Sequence, residues 1–163
     1  MKTSPAMYPF IGTFEGNILQ AYDDADDRIA QAGMHVYGTL TIGKGHTSAA
    51  GPPRVYVGMK IDDTQSDAIL AADLASVEIE VCHLVSVPLK QFQFDALSDF
   101  QFNTGWLAHP HCSLLNALNS GNYNLADEDF MLYDRAQGKV LAGLDRRRAA
   151  EKRLFLTGEY STN

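Results

Sequence analysis

Cysteine is scarce in this 163-residue chain, with Cys82 and Cys112 its whole complement. Two cysteines cannot staple a disulfide scaffold, so the fold must rest on a packed core and the thiols read as reduced. No run of about 18 apolar residues occurs, and the first turns carry no basic stretch followed by an apolar block. The expectation is therefore a soluble chain with no membrane span, made without an export signal. Basic charge is also short: the net charge is −7 and the pI is about 5.0. Sequence-independent nucleic-acid binding runs on phosphate neutralisation by Lys and Arg, so no nucleic-acid partner is expected. The exception to the acidity is the segment 134–156, where seven Lys/Arg face three Asp/Glu, a local +4 that leaves −11 for the rest. No repeat or low-complexity tract is present.

What is present is an ordinary globular composition, 45% hydrophobic and 20% charged, enough for one domain with a real core. The cluster Thr47 to Pro53 marks an internal joint. Arg54 to Ile61 reads as a short strand. Thr64 with Asp67 fits a capping box, and Leu70, Leu74, Val77, Val81 and Leu84 recur at helical spacing until Pro88, which predicts a helix of roughly 20 residues, about 30 Å long. Leu89 to Asn103 is crowded with phenylalanines and stops at Gly105, the pattern of a buried helix. Ser113–Leu118, Asn124–Arg135 and Leu144–Leu156 read as further helices. Residues 1–61 hold a short helix over Pro9–Glu15 and then alternating, glycine-punctuated strands. The predicted fold is α+β: a single domain over 1–163, with a small β-rich lobe at roughly 14–61, a larger helical lobe at 62–160, and a cleft between them.

Two kinds of carboxylate lie in the first lobe. Glu15 closes an apolar turn beside Phe14, while Asp23, Asp24, Asp26 and Asp27 form an acidic loop. A partly desolvated carboxyl that donates a proton and an ionised one that acts as base are the raw material of glycoside hydrolysis. Either could equally be a solvated surface group. Downstream, Thr39, Thr41 and Gly43 share one strand face, read as polar and open, with Leu40 and Ile42 on the other. Gly43 and Gly45 carry no side chains, so a sugar could approach the backbone there. His46 reads as a structural histidine paired with a carboxylate.

The stretch Thr41-Ile42-Gly43-Lys44-Gly45-His46-Thr47 resembles the T-I-G-x-G-H-T signature of the phage-type lysozymes, glycoside hydrolase family 24. It lies downstream of Phe14-Glu15-Gly16 and Ala21-Tyr22-Asp23-Asp24, similar to the family's F-E-G and A-Y-x-D elements. Leu89 to Leu97, Phe100 to Gly105, Ser113 to Asn119 and Lys139 to Glu151 are similar to its later motifs, in order. The resemblance implies a lysozyme-like fold and an endolysin that hydrolyses the β-1,4 bond between N-acetylmuramic acid and N-acetylglucosamine in peptidoglycan; a threonine hydroxyl suited to orient a water beside a carboxylate then leads to the expectation of inversion.

It also implies roles. Glu15 would be the general acid, Asp24 the second carboxylate and Thr41 the holder of the attacking water. Gly43, Thr47, Phe102, Asn103, Ser113 and Arg147 would contact the glycan. Ser113 also reads as a helix cap, and Arg147 or Arg148 as a partner of Glu15 or as part of a solvated basic face. The stretch from Asp24 to Thr41 is about ten residues longer than the turn common in the family, so Asp23, Asp26 and Asp27 stay open as the second carboxylate. Residues 26–38 could form an extra hairpin. No metal and no cofactor is implied. The partner is the peptidoglycan glycan strand, met by a monomer that collects in the host cytoplasm and reaches the wall through a separate membrane pore. A lytic transglycosylase, which needs only the acid, and a catalytically dead glycan-binding module are the alternatives. The presence of Glu15, Asp24 and Thr41 together argues against both. The near P-loop Gly38 to Lys44 fails because Gly45 stands where Ser or Thr would ligate Mg²⁺. His109-Pro110-His111-Cys112 does not have the spacing of a closed metal set.

Overall fold

The second glycine of the Gly43-Lys44-Gly45 run sits at φ +82° and the first at +64°, backbone positions that glycine reaches without strain. They let a two-residue turn join β3 (Leu40–Gly43) to β4 (His46–Thr47). In this computed structural model, which describes residues 1–136 and 138–162, the turn belongs to a four-stranded antiparallel sheet ordered β2-β1-β3-β4. β1 is Ile18–Asp23 and β2 is Arg28–Ile29. Tyr22 lies opposite both Ile29 and Thr41, and Asp23 opposite Arg28 and Leu40. Buried Ala21, Ile42, Val55 and Met59 form the core on which the sheet rests, with Leu40 and Ile61 packed at its margin.

The chain divides into two compact units, Ile11–Asp73 and Met1–Phe10 with Leu74–Asn163. The first division falls within α1 (Met7–Glu15) and the second within α2 (Asp63–Leu84). α2 matches the expected helix in extent, and Leu70, Leu74 and Val81 are at most 1% exposed. Its capping box lies two residues earlier than predicted. The Gln65 N–H donates to Asp62 Oδ1 at 2.8 Å and the Asp62 N–H to Gln65 Oε1 at 2.9 Å. Asp62 takes the role because an aspartate carboxylate accepts from backbone donors more strongly than the Thr64 hydroxyl.

The segment 54–61 is not a strand. It meets β1 only through the isolated pair Gln20 and Lys60, with the Ala21 N–H on Met59 O and the Ile61 N–H on Leu19 O. Its apolar residues are there to fill the core, and the turn at Gly58, φ +83°, breaks the ladder. The inserted residues give a β-hairpin only at their start, β1 to β2. Residues 30–39 contain no regular element.

The larger unit is built on α3 (Gln91–Thr104), whose Phe94, Leu97, Phe100 and Asp99 are at most 1% exposed. Gly105 ends it at φ +62°, with its N–H on Gln101 O. α4 (Ser113–Asn119), α5 (Tyr123–Asp129) and α6 (Ala142–Thr157) follow. Phe130–Tyr133, predicted as the end of α5, is a separate 3₁₀ turn, and β5 (Arg135–Ala136) pairs with β6 (Lys139–Val140). Cys112, not Ser113, is the residue flanking α4. Ser113 is the first helical residue, and its N–H donates to Tyr133 Oη at 3.1 Å.

Candidate active site

Glu15 is the last residue of α1, released from the helix by Gly16 at φ +75°. It is half-buried, and the β3–β4 turn lies against its carboxyl: a Cβ on Gly45 would stand 3.3 Å from Glu15 Oε2. Gly45 therefore serves Glu15 by its lack of a side chain. Gly43 has a different neighbour. A Cβ there would fall 2.8 Å from Ser66 Oγ and 3.3 Å from Ile61, so the room expected beside Gly43 is filled by protein. Ser66 in turn donates to Asn17 Oδ1 at 2.7 Å.

The turn is fixed at two further points. Lys44 is buried and ion-paired with Asp67 on α2, so the lysine of the near P-loop is committed to the fold. His46, 1% exposed, has Nδ1 2.9 Å and 3.0 Å from the two oxygens of Asp73, and its Nε2 lies 2.8 Å from Pro53 O. This is the structural histidine the sequence suggested. Burial pushes the Asp73 carboxyl above its ordinary pKa, against the pull of His46.

Backbone contacts separate the four aspartates of the acidic loop. Asp23 is buried and takes three backbone N–H groups, from Tyr37 at 2.6 Å, Gly38 at 2.8 Å and Ala25 at 3.1 Å. The Tyr37 amide does most to hold its pKa below the usual carboxylate value. Asp26 pairs with Arg28 at 2.5 Å. Asp27 sits at φ +57°, the turn position between β1 and β2. Asp24 is exposed: its Oδ1 accepts from the Thr39 N–H at 2.6 Å and its own N–H donates to Thr39 O at 3.1 Å. Asp24 is thus the carboxylate of the four that is ordered by the sheet, turned to solvent and not consumed by an ion pair or a backbone cluster.

Thr41 lies two residues along from Thr39, on the same strand face. That face is closed rather than open, since Thr41 is 4% exposed and its hydroxyl donates to Thr39 O at 3.2 Å. The polar side chain is buried because β1 and β4 flank it, with Tyr22 and Thr47 as its register partners. Thr47 is half-buried.

The larger unit carries the remaining candidates. Asn103, Thr104, Trp106, Leu132, Tyr133, Arg135 and Leu144 line a cavity of about 480 Å³. Asn103 is half-buried and its Oδ1 accepts from Arg148 Nη2 at 2.9 Å. Phe102 is half-buried beside it, and Ser113 Oγ lies 3.3 Å from Tyr133 Oη. Arg147 and Arg148 are not a solvated face. Arg147, 3% exposed, binds Asp99 with Nε at 3.0 Å and Nη2 at 2.7 Å. Arg148 is fully buried, donates to Glu151 Oε1 at 2.5 Å and lies 5.0 Å from the Phe100 ring centroid. Burial, then the charge of Asp99, drives the Glu151 carboxyl well above its ordinary value. Helix periodicity could not foretell this network, because its carboxylates come from α3 and α6, far apart in sequence. Among the described residues no group of three or more His, Cys, Asp or Glu is placed to hold a metal ion.

The phage lysozyme family model matches residues 12–151. The endolysin of Salmonella phage P22 is 38% identical over 143 residues, which is 88% of this chain and 90% of that protein. The endolysin of Bacillus phage B103 is 33% identical over 159 residues, and the chain spans only 56% of its length. Among solved structures, the muramidase domain of SpmX from Asticaccaulis excentricus superposes with a TM-score of 0.78 at 36% identity, covering 96% of this chain and 98% of that one. The endolysin from Escherichia coli O157:H7 phage FAHEc1 gives 0.82 at 29% identity, covering 99% and 97%.

Proposed function

We propose that this chain, which belongs to the phage lysozyme family, is a muramidase that cleaves the β-1,4 bond between N-acetylmuramic acid and N-acetylglucosamine in peptidoglycan. The observation that carries the reading is the division of labour within residues 11–73. One carboxyl, Glu15, is half-buried against Gly45, and a second, Asp24, is held in the open by Thr39. Glu15 gives its proton to the leaving glycosidic oxygen. Asp24 takes a proton from the water that attacks the anomeric carbon on the opposite face. The family motif assigns the holding of that water to the Thr41 hydroxyl, whose proton is on Thr39 O; at 4% exposure its lone pairs meet only a water admitted into the closed strand face. A hydroxyl at this place suits water orientation, and the reaction proceeds with inversion. Of the six residues expected to contact glycan, Thr47, Phe102, Asn103 and Ser113 stay assigned to that role, while Gly43, whose space is filled by Ser66 and Ile61, and Arg147, buried on Asp99, leave it. Asn103 lines the 480 Å³ cavity and is held there by Arg148.

The enzyme acts at the cell wall as a monomer, with access from the cytoplasm by way of a separate membrane pore. No helix among the described residues is long and apolar enough to cross a membrane. The test is turbidity loss on isolated cell walls with products identified by mass spectrometry and the initial anomer by NMR. Muramic acid reducing ends formed as the α-anomer support the reading. A 1,6-anhydro product overturns it in favour of transglycosylation, and an initial β-anomer makes the second carboxylate a nucleophile.

A further inference from the structure

The inserted segment ends in an exposed aromatic that the fold has taken trouble to place. Tyr37 is 71% exposed, the most exposed large hydrophobic side chain among the described residues. Its backbone N–H is locked to the buried Asp23 carboxylate at 2.6 Å. The His35 ring meets the Tyr37 ring edge-on with centroids 4.7 Å apart, and the Arg28 guanidinium stands 5.8 Å from the ring centroid. Arg28 is itself held by Asp26 at 2.5 Å. An exposed ring fixed at its backbone and steadied on its flanks loses little rotamer entropy when a ligand covers it.

Its position is also constrained. Two residues of extended chain, about 7 Å, separate Tyr37 from Thr39, whose N–H holds Asp24. A pyranose ring offers an apolar face of C–H groups edged by hydroxyls, which an exposed phenol can cover while its hydroxyl reaches a rim oxygen. From this juxtaposition we infer that Tyr37 is a positioning residue, a platform on which one sugar of the glycan strand stacks next to the unit being cleaved. The inference rests on the muramidase reading for its ligand class. The inserted residues then add a sugar subsite beside Asp24.

The test compares Tyr37→Ala, Tyr37→Phe and Tyr37→Trp on solubilised, uncrosslinked peptidoglycan glycan strands, with thermal melting as a control on folding. Tyr37→Ala is expected to raise KM about three- to tenfold, the worth of one aromatic contact, with kcat and melting temperature held. Tyr37→Phe keeps KM within about twofold because it keeps the ring. In a Glu15→Gln background, where the strands survive, Tyr37→Trp should show a strand-dependent blue shift over the Trp106 background. An unchanged KM in Tyr37→Ala with no emission shift in Tyr37→Trp overturns the inference. So does an equal loss in kcat and melting temperature, which would mark the ring as structural. The binding arm does not need catalysis. If the wild-type chain released no reducing ends from walls, the muramidase reading would fail while the emission shift still decided whether Tyr37 meets a glycan.

Discussion

Gly38 passes so close to Asp24 that a Cβ on it would fall 2.1 Å from Asp24 Oδ1, and 2.9 Å from both Ala25 N and Asp23 Oδ1. No side chain fits between the returning insertion and the two carboxylates. In Gly38→Ala, Asp24 must therefore rotate out of its hydrogen bond with Thr39. We expect wall lysis to fall by at least tenfold, with a stability loss of about 1–3 kcal/mol from overpacking. Lysis rates and denaturant midpoints measured together check it, and full activity would show that the position of Asp24 is irrelevant.

The aspartates of the loop should respond differently to loss of charge. Asp24→Asn is expected to abolish lysis at an unchanged melting temperature, whereas Asp26→Asn and Asp27→Asn do little to the rate. Asp23→Asn should lower the melting temperature. Four variants compared at equal concentration decide it. Equal, mild losses in all four would return the cluster to a charged loop.

The Asp23 effect carries a pH signature. Its folded pKa is depressed, chiefly by the Tyr37 amide, so the folded state binds its proton less readily than the unfolded chain. The stabilisation is fully present above the unfolded value of about 3.9 and is lost as pH falls from there through the depressed folded value. The melting difference between wild type and Asp23→Asn should thus be constant near neutrality and shrink below about pH 4. A difference independent of pH would mean that the carboxylate charge is not what holds residues 37–38.

Glu15→Gln should cut hydrolysis by about 10² to 10⁴-fold, because the amide cannot supply the proton to the leaving oxygen. Circular dichroism and melting should be unmoved. Retention of more than about a tenth of the rate would remove Glu15 from the role of acid.

Glu151 gives the opposite sign to Asp23. Its pKa is raised, first by burial and then by Asp99, so folding favours the protonated form. Its contribution is complete below about pH 4.3 and declines as pH rises through the elevated folded value. Glu151→Gln, which keeps the shape without the ionisation, should flatten that decline. Arg148→Met should lower stability by removing the buried donor on which Asn103 and Glu151 rely. Chemical denaturation from acid to neutral pH measures both, and parallel curves for wild type and Glu151→Gln would contradict the assignment.

The helices were legible because their signals are local. Leu70 to Val81 repeats at helical spacing, and Gly105 stops α3 where a left-handed residue is needed. The segment 54–61 misled for the same reason: Val55 and Ile61 have strand chemistry, but the segment pairs with β1 only around Gln20 and Lys60, the turn at Gly58 stops the ladder there, and its apolar residues serve as core filler. In the site, the family motifs pointed to Glu15, Asp24 and Thr41. What sequence left open was which of Asp23, Asp24, Asp26 and Asp27 is the second carboxylate, and it could not show that Asp23 is buried while Asp24 is exposed. That distinction comes from amides at 37, 38 and 39, and backbone donors leave no mark in side-chain identity. The filled space beside Gly43 was hidden likewise, since Ser66 arrives from a helix more than twenty positions away.

Asp23 accepts from Ala25 at one end of the insertion and from Tyr37 and Gly38 at the other. A single side chain thereby ties off the neck of the loop; within it β2 still pairs with β1 and Ala30 is buried, so it is residues 31–36 that lie outside the sheet. Because the cost of closing a loop grows only slowly with its length, this neck can carry arms of quite different size without disturbing the strands below it. The insertion is in this sense an interchangeable fitting at its tip: residues 31–34 can be shortened, lengthened or exchanged as a block, provided Asp23, the β2 strand, the His35–Tyr37 pair and the glycine at 38 are kept.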